Sequence, residues 1–369
     1  MPDNNELTKR EQQILEWIQQ DPMISQNDLA KLAGISRSGA AAHISSLMKK
    51  GYLKGKGYIV AEKRYALVIG GINIDTYGMA TQNFTTKTSN PGHISHQIGG
   101  LGRNMALNLR KLGVFNYFIT AYGDDFWGEQ FKADVANNNM DISYAKQFSN
   151  QKTSNYIYLN RANGERFIGL DDMGINDLIT PEFLQQRLEI IKAAQYLIID
   201  TNLPQTTIDW LAANYSGPLI AKAVSITKTG RLKSVLNQLD TLVINGVETS
   251  ILTDIDPLNR ALAERAAASL VKQGVTNVFL YVDGLGAVYA NQKEIKYFKQ
   301  PNSQILNTNG DGAAATAAIV FAKIKQMDFD LTGKMGTAAM AITAKSQESV
   351  NAEINSHLLI ETANKIKVS

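Results

Sequence analysis

Short apolar runs alternate along most of the chain with longer segments in which apolar residues recur every three or four positions. The runs predict buried strands, and the periodic segments predict helices. The predicted strands are 65–71, 194–200, 241–245 and 277–283, and the predicted helices are 102–112, 181–193, 204–213 and 259–273. Strands that alternate with helices favour an α/β fold, in which a parallel sheet is covered on both faces.

Two other stretches, 79–98 and 154–169, alternate residue by residue between apolar and polar side chains. Such alternation predicts half-buried strands that lie outside the main sheet. Asn163-Gly164, at the centre of the second stretch, is a strong hairpin signal. A small exposed sheet invites pairing, so we expect it to act as a lid, as a homodimer contact, or as both.

The first sixty residues predict a compact helical unit. Thr8 and Glu11 have the spacing of a capping box, and Ser25 and Ser36 begin two further helices on either side of Gly34. The stretch 51–60 then predicts a tight hairpin. This order resembles the winged helix-turn-helix of bacterial transcription regulators.

The resemblance implies duplex DNA binding. It places Arg37, Ser38 and His43 at the major groove, and the residues near phosphates are Lys49, Lys50, Lys54 and Lys56. Residues 1–64 hold ten Lys and Arg against seven Asp and Glu, whereas the rest of the chain holds 27 of each. The alternative is a helical module that serves only packing or dimerisation.

The composition excludes several kinds of chemistry. The 369 residues include no cysteine, which excludes disulfides, thiolate metal sites and cysteine nucleophiles. The four histidines lack the H-E-x-x-H spacing of a zinc site. No apolar run has membrane-spanning length and no signal pattern begins the chain, so we expect a cytoplasmic protein.

Polar residues follow the predicted strands. Asp75, Asp200, Asn245 and Glu248 fall at or just past strand ends. Ligands of parallel α/β folds lie beyond the carboxyl ends of the strands. We therefore expect a ligand site at this edge of the sheet.

A glycine turn, Gly310-Asp311-Gly312, precedes an Ala-rich segment, 313–325, of high helix propensity. Backbone N–H groups at the start of a helix converge on one point and bind anions, above all phosphate. The alternative is an ordinary strand-to-helix turn.

Four motifs resemble the ribokinase-like, or PfkB, family of sugar and nucleoside kinases, over about residues 65–365. The motifs are 70–75, 99–106, 123–128 and 245–248. The resemblance implies a doubly wound, mostly parallel sandwich with a small β lid. The predicted domains are a winged helix-turn-helix, 1–62, and a kinase-like domain, 63–369, whose lid comes from about 79–98 and 154–169.

The family's properties imply roles for individual residues. Substrate contacts are implied for Asn73, Asp75, Gly99, Gly100, Asn104 and Tyr156. Cofactor contacts are implied for Asn245, Glu248, Asp283, Gly284, Gly286 and Asn351. The implied cofactors are ATP, Mg²⁺, which Glu248 would organise through water, and a monovalent cation.

The motif Gly99-Gly100-Leu101-Gly102-Arg103-Asn104, together with 200–204 and 349–351, looks closest to the pseudouridine kinase branch. That branch implies transfer of the ATP γ-phosphate to a ribose 5′-hydroxyl. Candidates for contacts to the base are His93, His96, Asn155, Tyr156 and Phe167, for each of which a structural role is an equal alternative. For Lys228 and Arg231 we favour solvated surface positions over contacts to ATP phosphates.

The chain departs from the family at its catalytic signature, which is roughly D-T-x-G-A-G-D. Here Asn307, Asp311 and Ala313 replace the first aspartate, the alanine and the last aspartate. The last aspartate is the general base of the family, and losing a general base costs about 10²–10⁴-fold in rate. Gly310 and Gly312 would still supply amides to the phosphoryl group. Asp311 begins two residues too early to replace the base.

Two explanations of Ala313 stay open: an engineered substitution that traps substrates, which the intact sugar-side residues favour, and a natural loss in a ligand sensor. Two functions follow. The first is a nucleoside kinase, most plausibly for pseudouridine, with crippled activity and a DNA-binding module. The second is a transcription regulator whose kinase-like domain senses a nucleoside or sugar.

Overall fold

The computed structural model describes residues 7–21, 24–53, 65–162, 166–301 and 306–369. The chain divides into two units between Arg64 and Tyr65, two residues beyond the predicted boundary. Each unit has its own hydrophobic core. None of the helices in these ranges has the length and hydropathy needed to cross a membrane.

The smaller unit contains the three predicted helices, α1 (Lys9–Gln20), α2 (Gln26–Ala33) and α3 (Arg37–Lys49). The predicted capping box is confirmed, since Thr8 Oγ1 accepts from the Glu11 N–H at 3.2 Å and the Thr8 N–H donates to Glu11 Oε2 at 2.7 Å. Gly34 ends α2 in the left-handed conformation, at φ 61°. Most of the predicted hairpin, residues 54–60, lies outside the described residues.

Among the described residues, the larger unit contains a nine-stranded sheet, a four-stranded sheet and a pair of strands. The strands are β1 (Ala66–Ile69), β2 (Asn73–Ala80), β3 (Gly92–Gly99), β4 (Asn116–Ile119), β5 (Ala121–Gly123), β6 (Lys146–Phe148), β7 (Asn155–Asn160), β8 (Arg166–Asp172), β9 (Tyr196–Asp200), β10 (Leu219–Lys222), β11 (Leu239–Asn245), β12 (Asn277–Val282), β13 (Gly286–Asn291), β14 (Ile295–Lys299) and β15 (Lys367–Val368).

The large sheet has the order β15-β14-β13-β12-β11-β10-β9-β1-β4. It is parallel from β4 to β12 and antiparallel from β12 to β15. The predicted α/β fold with a mostly parallel sheet is therefore confirmed.

Helices cover both faces of this sheet. They are α4 (Leu101–Lys111), α5 (Phe126–Asn137), α6 (Pro181–Gln185), α7 (Leu188–Ala193), α8 (Gln205–Asn214), α9 (Ile226–Thr229), α10 (Gly246–Thr253), α11 (Arg260–Lys272), α12 (Asp311–Ile324), α13 (Phe329–Thr343) and α14 (Ser356–Ala363). Short 3-10 helices lie at Gly174–Leu178, Gly230–Leu232 and Leu236–Gln238.

Alternate residues of each strand enter two separate cores. Val68 and Ile198 pack with α4, α12 and α13, whereas Leu67 and Ile199 pack with α8 and α11. A fully buried Leu, Ile or Val contributes about 1.5–3 kcal/mol relative to an exposed one. Continuous apolar runs such as 66–69 therefore identify strands that are covered on both sides.

The predicted helix 181–193 is wrong as a single element, because the chain breaks it into α6 and α7. Arg187 lies at the break, where its guanidinium donates to the carbonyl oxygens of Phe183 and Tyr144 at 2.8 and 2.6 Å. Strand β10 is absent from the predicted elements. Its apolar run is only Leu-Ile-Ala before Lys222, which is too short to stand out by periodicity.

The small sheet has the order β3-β2-β7-β8. It begins at Asn73, six residues before the predicted lid, because β2 continues directly from the first glycine motif. Asn163-Gly164 lies outside the described residues, between the antiparallel strands β7 and β8. Ile94 and Leu170 on this sheet are 72% and 70% exposed. The homodimer contact stays a prediction.

Candidate active site

A cavity of about 450 Å³ lies at the carboxyl ends of β10 and β11, beside the first turns of α4 and α12 and under the small sheet. This volume is within the range of sites for small molecules. The glycine motif before α4 and the glycine turn before α12 both line it. The topology therefore brings together two motifs that are about 200 residues apart in the sequence.

The sugar-side residues predicted from the motifs meet in this cavity. Asn73, Asp75, Gly100, Asn104 and Tyr156 all line it. Asn73 Nδ2 donates to Asp75 Oδ1 at 2.7 Å, which orients the carboxylate. The carboxylate and amide oxygens of these residues are suited to sugar hydroxyls.

Two glycines allow this close packing. Gly100 has φ 97°, and a Cβ there would lie 2.6 Å from the carbonyl oxygen of Gly71. Gly99 does not line the cavity, but a Cβ on it would collide with the carboxylate of Asp75. Gly99 thus leaves space for Asp75, and its predicted contact to a substrate stays a prediction.

Asn104 is held by a buried network. Arg103 Nη1 donates to Asn104 Oδ1 at 3.0 Å, and Asn104 Nδ2 donates to Ser349 Oγ at 3.1 Å. Arg103 in turn forms an ion pair with Asp134 at 2.6 Å. Because both partners of this ion pair are largely buried, Arg103 fixes the direction of the Asn104 side chain.

The start of α12 forms another part of the cavity wall. Gly310 caps this helix at φ 99°, and a Cβ there would collide with the carbonyl oxygen of Ser349. Gly310, Gly312 and Ala313 line the cavity. The first N–H groups of a helix have no helical partners, and the helix dipole places positive charge there. The first turn of α12 is therefore suited to an anion.

Ala313 is fully buried and presents only a methyl group where the predicted catalytic motif would have its general base. Asp311 does not replace it, because Asp311 is absent from the cavity lining. Its carboxyl is 3% exposed, and its Oδ1 has no hydrogen-bond partner. Burial, with a smaller contribution from Asp283, raises the pKa of Asp311 to about 8.

Lys222 is a cavity residue that the sequence pattern did not single out. It ends β10, is 3% exposed and lines the cavity. Its Nζ donates to Glu248 Oε2 at 3.0 Å and to the carbonyl of Ala223, and it lies 5.5 Å from the centre of the Tyr281 ring. The sequence feature that could have identified Lys222 is its position directly after a short apolar run.

The charge of Lys222 is maintained by its neighbours. Burial favours the neutral amine, yet the pKa of Lys222 is raised above its usual value, and Glu248 is the neighbour whose negative charge holds it there. Burial raises the pKa of Tyr281 to about 12, so the phenol is neutral. A Cβ on Gly312 would collide with Lys222 Cε. The ammonium side chain therefore lies directly against the glycine turn.

The predicted pair Asn245 and Glu248 lines the cavity and also forms a capping box for α10. The Glu248 N–H donates to Asn245 Oδ1 at 2.7 Å, and the Asn245 N–H donates to Glu248 Oε2 at 3.1 Å. Glu248 Oε2 thus accepts from the Asn245 backbone and from Lys222. This motif has a structural role whether or not it contacts a cofactor.

Asp200 has a structural role at the strand end. It accepts from the N–H groups of Gly71 and Asn202, at 3.0 and 2.8 Å, and so closes the turn that follows β1. Complete burial raises its pKa to about 6 against the opposing effect of these hydrogen bonds.

The remaining predicted cofactor residues lie away from the cavity lining. Asp283, Gly284 and Gly286 form the turn between β12 and β13, with Gly284 at φ 76° and Gly286 at φ 134°. Asn351 Nδ2 donates to the carbonyl of Ile342 at 2.7 Å, which ties the loop after α13. Their contacts to ATP stay predictions.

The prediction of solvated surface positions is wrong for Lys228 and Arg231. Lys228 lines the cavity, where its Nζ donates to Asn202 Oδ1 at 3.0 Å. Arg231 donates to the carbonyls of residues 201, 202 and 203. Its guanidinium therefore stabilises the loop after β9.

Of the candidates for base contacts, only Tyr156 lines this cavity within the described residues. His96 contacts Thr76 Oγ1 at 3.1 Å and lies against Trp127, whereas Phe167 stacks on Phe84. Asn155 accepts from Thr76, and His93 lines a separate apolar cavity beside Phe84. These contacts favour structural roles.

In the smaller unit, Arg37 and Ser38 are exposed in the first turn of α3, Lys49 is exposed at its end, and His43 is half-buried. Lys50 was predicted to lie near DNA phosphates, but its ammonium is already paired within this unit. Its Nζ pairs with Glu11 at 2.8 Å, and this contact lowers the pKa of Glu11 to about 2. Lys54 and Lys56 lie outside the described residues.

Comparisons with known proteins agree with this architecture. The pfkB family of carbohydrate kinases matches residues 63–355, and a winged helix-turn-helix DNA-binding family matches residues 7–54. The chain therefore belongs to the pfkB family of sugar and nucleoside kinases and carries an N-terminal winged helix domain.

Individual relatives support this assignment. The chain is 30% identical to the uncharacterized sugar kinase YeiI of Escherichia coli, over 92% of this chain and 94% of that protein. It is 28% identical to the pseudouridine kinase of the same organism, over 82% and 98% of the two chains. Ribokinase from Arabidopsis thaliana, solved with ribose and ATP, has the same fold, with a TM-score of 0.73 at 20% identity over 81% and 98%.

The site fits ATP and Mg²⁺, two of the three implied cofactors, unequally. The first turn of α12 fits a phosphate group of ATP, because unpartnered N–H groups and the helix dipole meet there. Magnesium fits less well, because Glu248 already holds the Lys222 ammonium. The described residues also contain no cluster of three metal-ligating side chains.

Proposed function

We propose that residues 65–369 bind a nucleoside, with pseudouridine the first candidate, and phosphorylate its ribose 5′-hydroxyl from ATP only slowly. The binding half is supported by Asn73, Asp75 and Asn104, which line one cavity with the glycine turn. The 28% identity to a pseudouridine kinase supports the choice of nucleoside.

The slow turnover follows from Ala313, the observation that carries the proposal. A primary hydroxyl needs a proton acceptor as the phosphoryl group moves, and a methyl group is none. The amides of the Gly310–Gly312 turn and the Lys222 ammonium remain to stabilise negative charge on the phosphoryl group. The chain therefore keeps the electrostatic part of the family's site and lacks the base.

We expect isothermal titration of the full chain to detect binding of one or more of pseudouridine, uridine, cytidine and inosine. Asp75→Ala should weaken that binding about 10- to 100-fold, because a hydrogen bond to a charged group contributes about 1.5–3 kcal/mol. Asp256→Ala, which removes an exposed carboxylate far along the sequence, is the matched control. Absence of heat with all four nucleosides, or equal affinities in the two variants, would contradict the binding half.

The second candidate is a transcription regulator whose kinase-like domain senses the nucleoside. It is favoured by the winged helix match at residues 7–54 together with the missing base. Phosphate transfer by a chain with Asp restored at position 313 supports the kinase, whereas a change of DNA affinity on adding nucleoside supports the regulator.

We expect the full chain to bind duplex DNA from its own promoter region with strong salt dependence. Lys49→Ala should reduce the slope of log affinity against log salt by about 0.9, because one phosphate contact is lost. Lys365→Ala, an exposed lysine of the larger unit, should leave the slope unchanged. Gel shifts at several salt concentrations measure both slopes. If no band forms at low salt, or if both variants keep the wild-type slope, Lys49 makes no phosphate contact.

A further inference from the structure

A row of three residues crosses the face of the small sheet that covers the cavity. Asp75 on β2 is paired with Tyr156 on β7, and Tyr156 is paired with Asp171 on β8. Residues that are paired across strands lie on the same face of a sheet, and all three line the cavity. Because neighbouring strands lie about 4.8 Å apart, the row extends about 10 Å from Asp75 to Asp171.

The alternation of side chains along β8 separates the two faces of this sheet. Leu170 and Asp172, on either side of Asp171, lie on the opposite face, and neither belongs to the described lining of the cavity. A Cβ on Gly169, two residues before Asp171, would meet the Tyr156 hydroxyl at 2.8 Å. The Tyr156 ring therefore reaches along β8 on the same face as the Asp171 carboxylate.

Lys228 adds a hydrogen-bond donor on the β8 side of the cavity. It is half-buried, and its Nζ lies 3.0 Å from Asn202 Oδ1 and 3.5 Å from Met173 Sδ. Met173 follows Asp171 by two residues, and Lys228, Asn202 and Met173 all line the cavity. An ammonium has three N–H donors and a thioether is only a weak acceptor, so Lys228 can also donate to a ligand.

These positions suit a pyrimidine nucleoside better than a sugar alone. A ribose ring at Asp75, followed by one pyrimidine ring, extends along the row, and Tyr156 offers its aromatic ring to the base. Beyond it the Asp171 carboxylate accepts and the Lys228 ammonium donates, which suits an N–H beside a C=O. Uracil has this lactam edge at N3 and the adjoining carbonyls, whereas N3 of cytosine carries no hydrogen.

We propose that Asp171 and Lys228 form a subsite for the lactam edge of a pyrimidine base. The Asp171 carboxylate accepts from N3–H of the uracil ring, in uridine or pseudouridine, and Lys228 Nζ donates to a neighbouring carbonyl oxygen. This inference rests on the proposed function, which places the ribose at Asp75, and it names the residues that select the base. Neither residue lies in the four sequence motifs by which the chain resembles its family.

The test is isothermal titration of the full chain with uridine, pseudouridine, cytidine and ribose. We expect uridine or pseudouridine to bind about 10-fold or more tightly than cytidine, which differs from uridine only at the lactam edge. Asp171→Ala should weaken binding of the uracil nucleosides about 10- to 100-fold and change ribose affinity less than about twofold. Asp172→Ala is the matched control, because it removes the neighbouring carboxylate from the opposite face.

Lys228→Met tests the donor, because methionine keeps the length of the side chain and removes the ammonium. It should weaken the uracil nucleosides about 10-fold or more and leave ribose affinity nearly unchanged. Lys233→Met, at an exposed position outside the described lining, is its control. Ribose affinity also reports whether each variant keeps the site folded. A loss for ribose as large as the loss for uridine would refute the assignment to the base.

The same titrations separate this inference from the proposed function. Equal affinities for uridine, pseudouridine and cytidine, or a preference that both Asp171→Ala and Lys228→Met retain, would refute the base subsite and keep nucleoside binding. Selective binding of uracil nucleosides without phosphate transfer by the Ala313→Asp chain would keep the base subsite and refute the kinase. Absence of heat with all four ligands would refute both.

Discussion

Replacing Ala313 by aspartate should raise kcat for nucleoside phosphorylation by about 10²-fold or more, with little change in nucleoside affinity. The substituted side chain would lie in the first turn of α12, between the sugar-side residues and the glycine turn that line the same cavity. There it can accept the proton of the acceptor hydroxyl. An aspartate is also well tolerated at the start of a helix, so the backbone of the turn should keep its conformation.

The measurement is a coupled assay of ADP release with Mg·ATP and each candidate nucleoside, over a range of nucleoside concentrations. Ala313→Asn is the matched control, because it has nearly the same shape as the aspartate variant and cannot accept a proton. We expect a gain for aspartate alone. Background activity in the aspartate variant with every nucleoside and sugar tested would refute a disabled kinase, and the regulator would become the leading function.

Replacing Asp311 by asparagine should stabilise the protein above neutral pH by about 2 kcal/mol or more, because an amide does not ionise and so avoids the cost of a buried carboxylate. The pKa of Asp311 in the folded protein is about 8, above its ordinary value of 3.8, so the folded state binds this proton more tightly than the unfolded state. The free energy of unfolding that depends on this group is therefore largest at low pH and falls as the pH rises to about 8.

The experiment is urea unfolding of the wild type and Asp311→Asn at several pH values between 6.5 and 8.5. This window lies above the pKa of about 6 of Asp200, the other buried carboxyl with a raised pKa. We expect the wild type to lose stability across it and the variant to lose much less. Asp256→Asn, at an exposed position, controls for the change of surface charge. Parallel pH profiles for the wild type and Asp311→Asn would show that Asp311 does not titrate in this window, which would contradict a pKa of about 8.

Helix starts and the alternating order of strands and helices were well predicted from the sequence. The caps at Thr8 and Ser36 depend on residues within one turn of the helix they begin, so local spacing identifies them. The same applies to the glycines at 100 and 310, whose positive φ angles suit no other residue type. The prediction of one long helix failed because a distant residue intervenes. The carbonyl of Tyr144 accepts a hydrogen bond from Arg187 between α6 and α7.

The candidate site was predicted only in part, because the positions of some of its residues depend on partners that are distant in the chain. Asn73, Asp75 and Asn104 belong to motifs that carry their own spacing, and the structure brings them to one cavity. Lys222 belongs to no such motif, and its position depends on the pairing of β10 between β9 and β11. Lys50 shows the converse, because its predicted freedom is removed by Glu11, 39 residues away.

By itself the sequence determined the class of fold, the family, the motif residues that line the cavity and the absence of a carboxylate at position 313, because these depend on residue identity and short spacing. Only the tertiary structure decided which charges meet. It buried Asp311 away from the cavity, and it set Lys222 beside Glu248 and against Gly312. The physical reason is that the charge of a group and its effect on a ligand depend on burial and on neighbours that are distant in the chain.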